Sequence, residues 1–169
     1  MKRDAFINGL YRYTLSRDWS EVTGDMRSVC FIMLNPSTAD GQQEDPTLRK
    51  CIGFAKLLGF AKLSVVNLFA LRATDPDQLE KQKKAGVNII GPANDTFIFD
   101  SALRSDLIIC AWGAYDGVDV ETREQRVHEM LTNTQANRTL MCLGLTKYGK
   151  PRHPLYMPYS GKLLNWRKL

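Results

Sequence analysis

Four short stretches carry residue types that can recognise a nucleobase and act on it: Asn35-Pro36, Asn67, Trp112-Gly113 and His153-Pro154. Two carboxamides, an imidazole and an indole offer donors, acceptors and a flat apolar surface. That combination reads a heterocyclic base by its edge and by stacking. Around His153 the chain is basic, with Lys147, Lys150 and Arg152, which are suited to phosphate oxygens. Leu155 and Tyr156 follow. Ordinary structural roles exist for all of these. Asn before Pro is common turn chemistry, a histidine in a basic loop is often just exposed, and a Lys/Arg-rich tail is often a solvated face. Asn67 is harder to dismiss, because it interrupts an apolar run and a buried amide needs partners.

The elements that must position these residues are legible from hydropathy. Val29-Cys30-Phe31-Ile32-Met33-Leu34 is an unbroken apolar run that stops at Asn35-Pro36. A run of this kind predicts a strand buried on both faces. Pro36 has no N–H for a ladder and restricts the residue before it, so Asn35 falls at the carboxyl end of that strand. Three more runs predict strands, at residues 63–69, 106–113 and 139–143. Between them, Asp45 and Pro46 fit an N-cap and first helical position, and Leu48, Cys51, Ile52, Ala55 and Leu58 recur at helical spacing before Gly59. A second helix is expected over residues 91–104, and a third is marked by Val120, Val127, Met130 and Leu131. Residues 72–88 are charged and irregular, Tyr11-Arg12-Tyr13-Thr14-Leu15 alternates like an edge strand, and Leu163, Leu164 and Trp166 mark a short amphipathic end.

Strands alternating with helices across short connections predict an α/β fold, with a parallel sheet between helix layers. In open sheets of this class, ligands bind beyond the carboxyl ends of the strands, where Asn35, Asn67 and Trp112 would lie. One domain spanning residues 1–169 is expected from the length.

Composition sets further bounds. The hydrophobic share of 44% and charged share of 24% are those of an ordinary globule, and the net charge of +5 is compatible with a polyanionic partner. No apolar run reaches membrane-spanning length and the start lacks a signal-like core, so a cytoplasmic protein without a membrane partner is expected. Cys30, Cys51, Cys110 and Cys142 form no C-x-x-C pair and read as core residues. The chain has two histidines, with His128 reading as a surface residue, and no phosphate loop, dinucleotide fingerprint, nucleophile elbow or zinc motif. Neither a metal nor a cofactor is expected.

Larger stretches are familiar. Tyr13-Thr14-Leu15-Ser16-Arg17-Asp18-Trp19, Phe31-Ile32-Met33-Leu34-Asn35-Pro36-Ser37-Thr38-Ala39-Asp40 and Asp45-Pro46-Thr47-Leu48-Arg49-Lys50-Cys51 resemble an uncharacterised bacterial and phage family, a domain of unknown function. So do Val66-Asn67-Leu68-Phe69-Ala70-Leu71-Arg72-Ala73-Thr74, Gly144-Leu145-Thr146-Lys147 and Pro151-Arg152-His153-Pro154-Leu155-Tyr156. That resemblance covers nearly the whole chain and implies no activity.

In order and placement, the shorter motifs resemble the uracil-DNA glycosylase superfamily. Leu34-Asn35-Pro36 is similar to the water-positioning Asn-Pro of its mismatch-specific branch. Asn67 is similar to the base-reading Asn of the uracil-specific branch, and His153-Pro154 to the His-Pro opening the leaving-group and DNA-wedging loop. The resemblance implies a three-layer α/β/α fold with a mainly parallel four-stranded central sheet. It also implies a DNA-base-processing enzyme that flips a pyrimidine and hydrolyses its N-glycosidic bond.

On this reading Asn35 orients water and His153 stabilises charge on the departing base, while Ser37, Asn67 and Trp112 contact the base. Lys147, Lys150, Arg152, Leu155 and Tyr156 engage DNA. The sequence departs from the superfamily in having no Asp at the Asn35 position, Ser37 in place of an aromatic, and Leu155 in place of a serine. Serine at 37 would leave room beside C5, so a 5-modified pyrimidine is an expected substrate. The alternatives are an enzyme acting on a free nucleoside or nucleotide, and a non-catalytic binder of modified bases or of a phage or host protein.

Overall fold

The apolar run after Ser28 forms strand β3 (Ser28–Met33), and residues 29–32 are fully buried in the computed structural model, which describes residues 1–37, 44–133 and 138–166. Each large aliphatic or aromatic side chain buried this way contributes roughly 1.5–3 kcal/mol, so β3 anchors the sheet. Its neighbours are β4 (Lys62–Asn67) and β5 (Leu107–Cys110), both parallel to it, and β6 (Leu140–Cys142) runs parallel to β5. These four strands overlap the four runs expected from the sequence.

The sheet is larger than expected. It has seven strands, because β1 (Lys2–Asn8) and β2 (Tyr11–Asp18) extend one side and β7 (Leu164–Asn165) the other. Its order is β1-β2-β4-β3-β5-β6-β7, and the β1–β2, β2–β4 and β6–β7 pairings are antiparallel. The expectation of a mainly parallel four-stranded sheet is therefore corrected to a mixed seven-stranded one. Nor is the alternating segment at Tyr11 an edge strand, since β2 pairs on both sides. The edge is β1, which is exposed on nearly every residue and so carries no apolar alternation. Its Lys2, Arg3 and Asp4 protect an open edge against pairing with other chains.

Helices cover both faces. The first helix, α1 (Ser20–Thr23), is a single turn. Helix α2 (Pro46–Leu57) packs Leu48, Cys51, Ile52, Phe54 and Ala55 against Phe31, Met33, Leu63 and Val65. The opposite face, with Cys30, Ile32, Val66 and Ile108, receives α3 (Asp77–Lys84), α4 (Asn94–Leu103) and α5 (Val120–Thr132). Asp45 caps α2 by accepting from the Leu48 N–H at 2.6 Å, with Pro46 next, as the sequence predicts.

Helix α3 lies within the stretch read as irregular. Leu79 is its one buried residue, too little for a periodic signal. Helix α4 starts at Asn94, later than the Gly91 expected. All four cysteines are buried free thiols, and burial raises the Cys30 thiol to about 12. His128 is half-buried with its ring against Trp166, where a surface residue was expected. Among the described residues, no helix is long and apolar enough to cross a membrane.

Candidate functional site

A cavity of about 450 Å³ opens at the carboxyl ends of β3, β4 and β5, on the α2 side of the sheet. Alternation along β4 determines what reaches it. Val65 faces α2, so Asn67, two residues on, faces the same way into the cavity. Met33, the register partner of Asn67, also lines it, and Asn35 follows just past the end of β3. Ser37, Trp112, His153 and Tyr156 complete the predicted residues on its walls. Lys147, Lys150, Arg152 and Leu155 lie outside it. Thr38, Ala39 and Asp40, in the loop that Asn35 opens, lie outside the described residues.

Asn67 has an unusual environment. It is only 1% exposed, yet neither its amide nitrogen nor its amide oxygen has a hydrogen-bond partner among the described residues. Burying an unsatisfied polar group costs roughly 1–3 kcal/mol, so such a group needs an explanation. The backbone beneath it is well held. The Asn94 side chain donates to the carbonyls of Asn67 and Leu68 at 2.9 and 3.0 Å, and Arg123 Nε donates to Leu68 at 2.7 Å. Arg123 is in turn paired with Asp95 at 2.6 Å.

Asn35 is held differently. Its amide N–H group donates to the Ala73 carbonyl at 2.7 Å and to Pro36 at 3.1 Å. The Ala73 N–H donates back to Pro36 at 2.9 Å, which zips the loop after β3 to the loop after β4. The Asn35 amide nitrogen is therefore fixed to both loops, in a residue that lines the cavity.

His153 arrives on the loop after β6. This loop folds back through a Leu145–Pro151 bridge, and the Pro151 carbonyl accepts from Gly113 at 3.0 Å. Gly113 sits at φ +85°, a conformation that favours glycine, and an added Cβ there would meet His153 at 3.5 Å. His153 Nδ1 accepts from the Leu155 N–H at 3.3 Å, which puts the ring proton on Nε2 in the neutral form. Burial lowers its pKa below the usual 6.5, and the Asp45 charge partly opposes this.

The remaining predicted residues are placed as follows. Trp112 is buried with its indole edge-on to Trp166, and its N–H donates to Glu124 at 2.9 Å, so it offers the cavity ring surface rather than a donor. Lys150 is paired with that same buried Glu124 and turns inward instead of presenting a rim cation. Lys147 and Arg152 are exposed, and Arg152 Nε donates to the Leu145 carbonyl at 3.0 Å. Tyr156 is 76% exposed at the cavity mouth, beside the exposed Leu155. The Ser37 hydroxyl donates to Asp45.

Sequence reasoning missed two charged residues on the cavity wall. Arg12 is buried there, although strand alternation alone would not put it on the same side as Leu15. Phe6 pairs with Thr14 and Ile7 with Arg12, so Tyr13 is an extra, bulged residue that resets the alternation. Asp45 read as an N-cap and nothing more. No local signal marked its place on the wall. Cys51 also reaches the cavity, but burial holds its thiol far above the usual value, so it offers no thiolate.

The sequence matches no curated protein and no solved structure. A family model does match, over residues 12–155, which takes in every cavity residue described above except Tyr156. The chain accordingly belongs to the family described as protein of unknown function (DUF1643).

Proposed function

We propose that this protein is a DNA-base-processing enzyme that hydrolyses the N-glycosidic bond of a flipped pyrimidine, 5-modified pyrimidines included. The observation that carries this reading is Asn67, a buried carboxamide with both polar ends unmatched inside a cavity that also holds Asn35 and His153. A carboxamide is complementary to the adjacent donor and acceptor on a pyrimidine edge. An incoming base would replace the missing partners and recover the burial cost.

In the reaction, the Asn35 oxygen accepts from a water and aims it at C1′ of the sugar. The C1′–N bond breaks as the water oxygen bonds to C1′, and the electron pair leaves with the base. His153 Nε2–H donates to a base oxygen on which negative charge grows, a preorganised electrostatic role. Trp112 supplies ring surface for the base. On this reading Lys147, Arg152, Leu155 and Tyr156 contact the DNA strand. On this reading the four parallel strands form a uracil-DNA glycosylase-like core, with β1, β2 and β7 as additions.

A second reading, an enzyme for free nucleosides or nucleotides, is favoured by Arg12. It is a buried basic residue on the cavity wall, whereas Lys150 is paired with Glu124. The deciding experiment is a mass-spectrometric screen for free base released from single- and double-stranded oligonucleotides carrying uracil or 5-hydroxymethyl pyrimidines, with the matching nucleosides in parallel. Release from oligonucleotides that weakens steeply with salt supports the DNA enzyme. Release from nucleosides alone replaces it with the second reading, and binding without release leaves a binder.

A further inference from the structure

The cavity holds a carboxylate to which the reaction above assigns no role. Asp45 lies on its wall beside Ser37, whose hydroxyl donates to Asp45 Oδ2 while Oδ1 is occupied as the α2 cap. Capping alone uses one oxygen, through the Leu48 N–H. The second oxygen points back to a hydroxyl that itself lines the cavity, so the two form a path from the cavity interior to a fixed negative charge. We propose that Ser37 and Asp45 form the proton exit of the site, with Ser37 as a catalytic residue and Asp45 as the positioning residue behind it. This inference rests on the hydrolase reading.

The step balances without any co-reactant. As the water oxygen bonds to C1′, a water proton passes to Ser37 Oγ, and the Ser37 proton passes to Asp45 Oδ2. The glycosidic electron pair leaves with the base, which His153 stabilises and solvent later protonates. Asn35 can hold the water but cannot take its proton, because a carboxamide is not a base at neutral pH. A separate carboxylate answers that need. A second, independent feature marks the same cavity as built for a ligand, namely the buried, unpartnered carboxamide of Asn67. The electrostatics agree, since the Asp45 charge is felt at His153 and at Cys51 on the same walls.

Asp45→Asn is the incisive variant. Asparagine caps a helix as well as aspartate does, so α2 survives while the proton acceptor is lost. Base release from the oligonucleotide best cleaved by the wild type should fall about 10²- to 10⁴-fold in kcat, the usual contribution of positioned proton transfer. Ser37→Ala should lose a similar factor, Ser37→Thr should recover most of it, and Ser37→Ala with Asp45→Asn should lose little more than either alone. The His153 titration followed by NMR should move further down in Asp45→Asn, a readout that needs no turnover.

An active wild type whose Asp45→Asn variant keeps kcat within threefold overturns the relay and leaves the hydrolase standing. An unmoved His153 titration also overturns it. A wild type that releases no base from any substrate of the screen removes the hydrolase reading and this one with it.

Discussion

The Asn94 side chain holds the carbonyl of Asn67 at 2.9 Å, while the Asn67 side chain itself has no partner among the described residues. The backbone is thus fixed and the side chain is unsatisfied, the reverse of a residue kept for structure. Asn67→Leu, similar in volume and apolar, should leave stability unchanged or raise it by about 1 kcal/mol, because it removes an uncompensated buried amide. Base binding should be lost. Asn94→Ala should destabilise by about 1–3 kcal/mol, since it strips a donor from two buried carbonyls. Urea unfolding of the two variants side by side checks the contrast. A large destabilisation in Asn67→Leu would show that the amide serves the fold.

On the proposed reaction Asn35 would have both a structural and a catalytic part. Asn35→Ala removes the donor to Ala73 and should cost about 1–2 kcal/mol of stability, more than an exposed turn asparagine would. Base release should fall by orders of magnitude with affinity for the oligonucleotide little changed, the pattern of an interaction made mainly in the transition state. Thermal unfolding and single-turnover assays on the same preparation separate the two losses. Full activity in this variant would end the water-orienting role.

His153 makes stability depend on pH. Burial lowers its folded-state pKa below 6.5, so between that lowered value and 6.5 the unfolded chain binds more protons than the folded one. Stability from this group is therefore intact above pH 6.5. It declines as pH falls through the window and levels off below the folded pKa. His153→Gln should flatten that portion of the curve. Urea midpoints of both proteins between pH 5 and 7.5 test this, and equal slopes would refute it.

The basic loop divides into two kinds of cation. Lys147→Ala and Arg152→Ala should leave the fold near wild type and each lower the salt slope of DNA binding by about one. Lys150→Ala should instead destabilise by roughly 2–4 kcal/mol, because it removes the lysine paired with the buried Glu124 carboxylate. Its effect on the salt slope should be small. Binding isotherms across salt concentrations, together with urea unfolding, check both halves.

How much of this was legible in the sequence depended on whether the physics was local. Strand β3 could be read because six apolar residues end at an Asn-Pro, and Asn67 stood out as an amide in an apolar run. Helix α2 announced itself through its cap and its stripe. Strand β1 did not, since a strand exposed on both faces has no period to detect. Arg12 was hidden by the bulge at Tyr13, a feature of pairing with another strand. The place of Asp45 on the cavity wall was masked because capping already explained it. Lys150 looked like a rim cation, and the partner that turns it inward, Glu124, lies 26 residues earlier on α5.

That shared carboxylate has a consequence for how the mouth and the interior communicate. Glu124 accepts from Trp112 on the cavity wall and from Lys150 on the basic loop at the same time. An anion strong enough to draw Lys150 outward would take that lysine from Glu124 and strengthen the carboxylate's demand on the Trp112 N–H. A ring pressing on Trp112 would in turn alter how tightly Glu124 holds Lys150. The coupling is reciprocal by thermodynamic necessity. A polyanion at the loop and a flat ring in the cavity would therefore sense one another through a single buried acid.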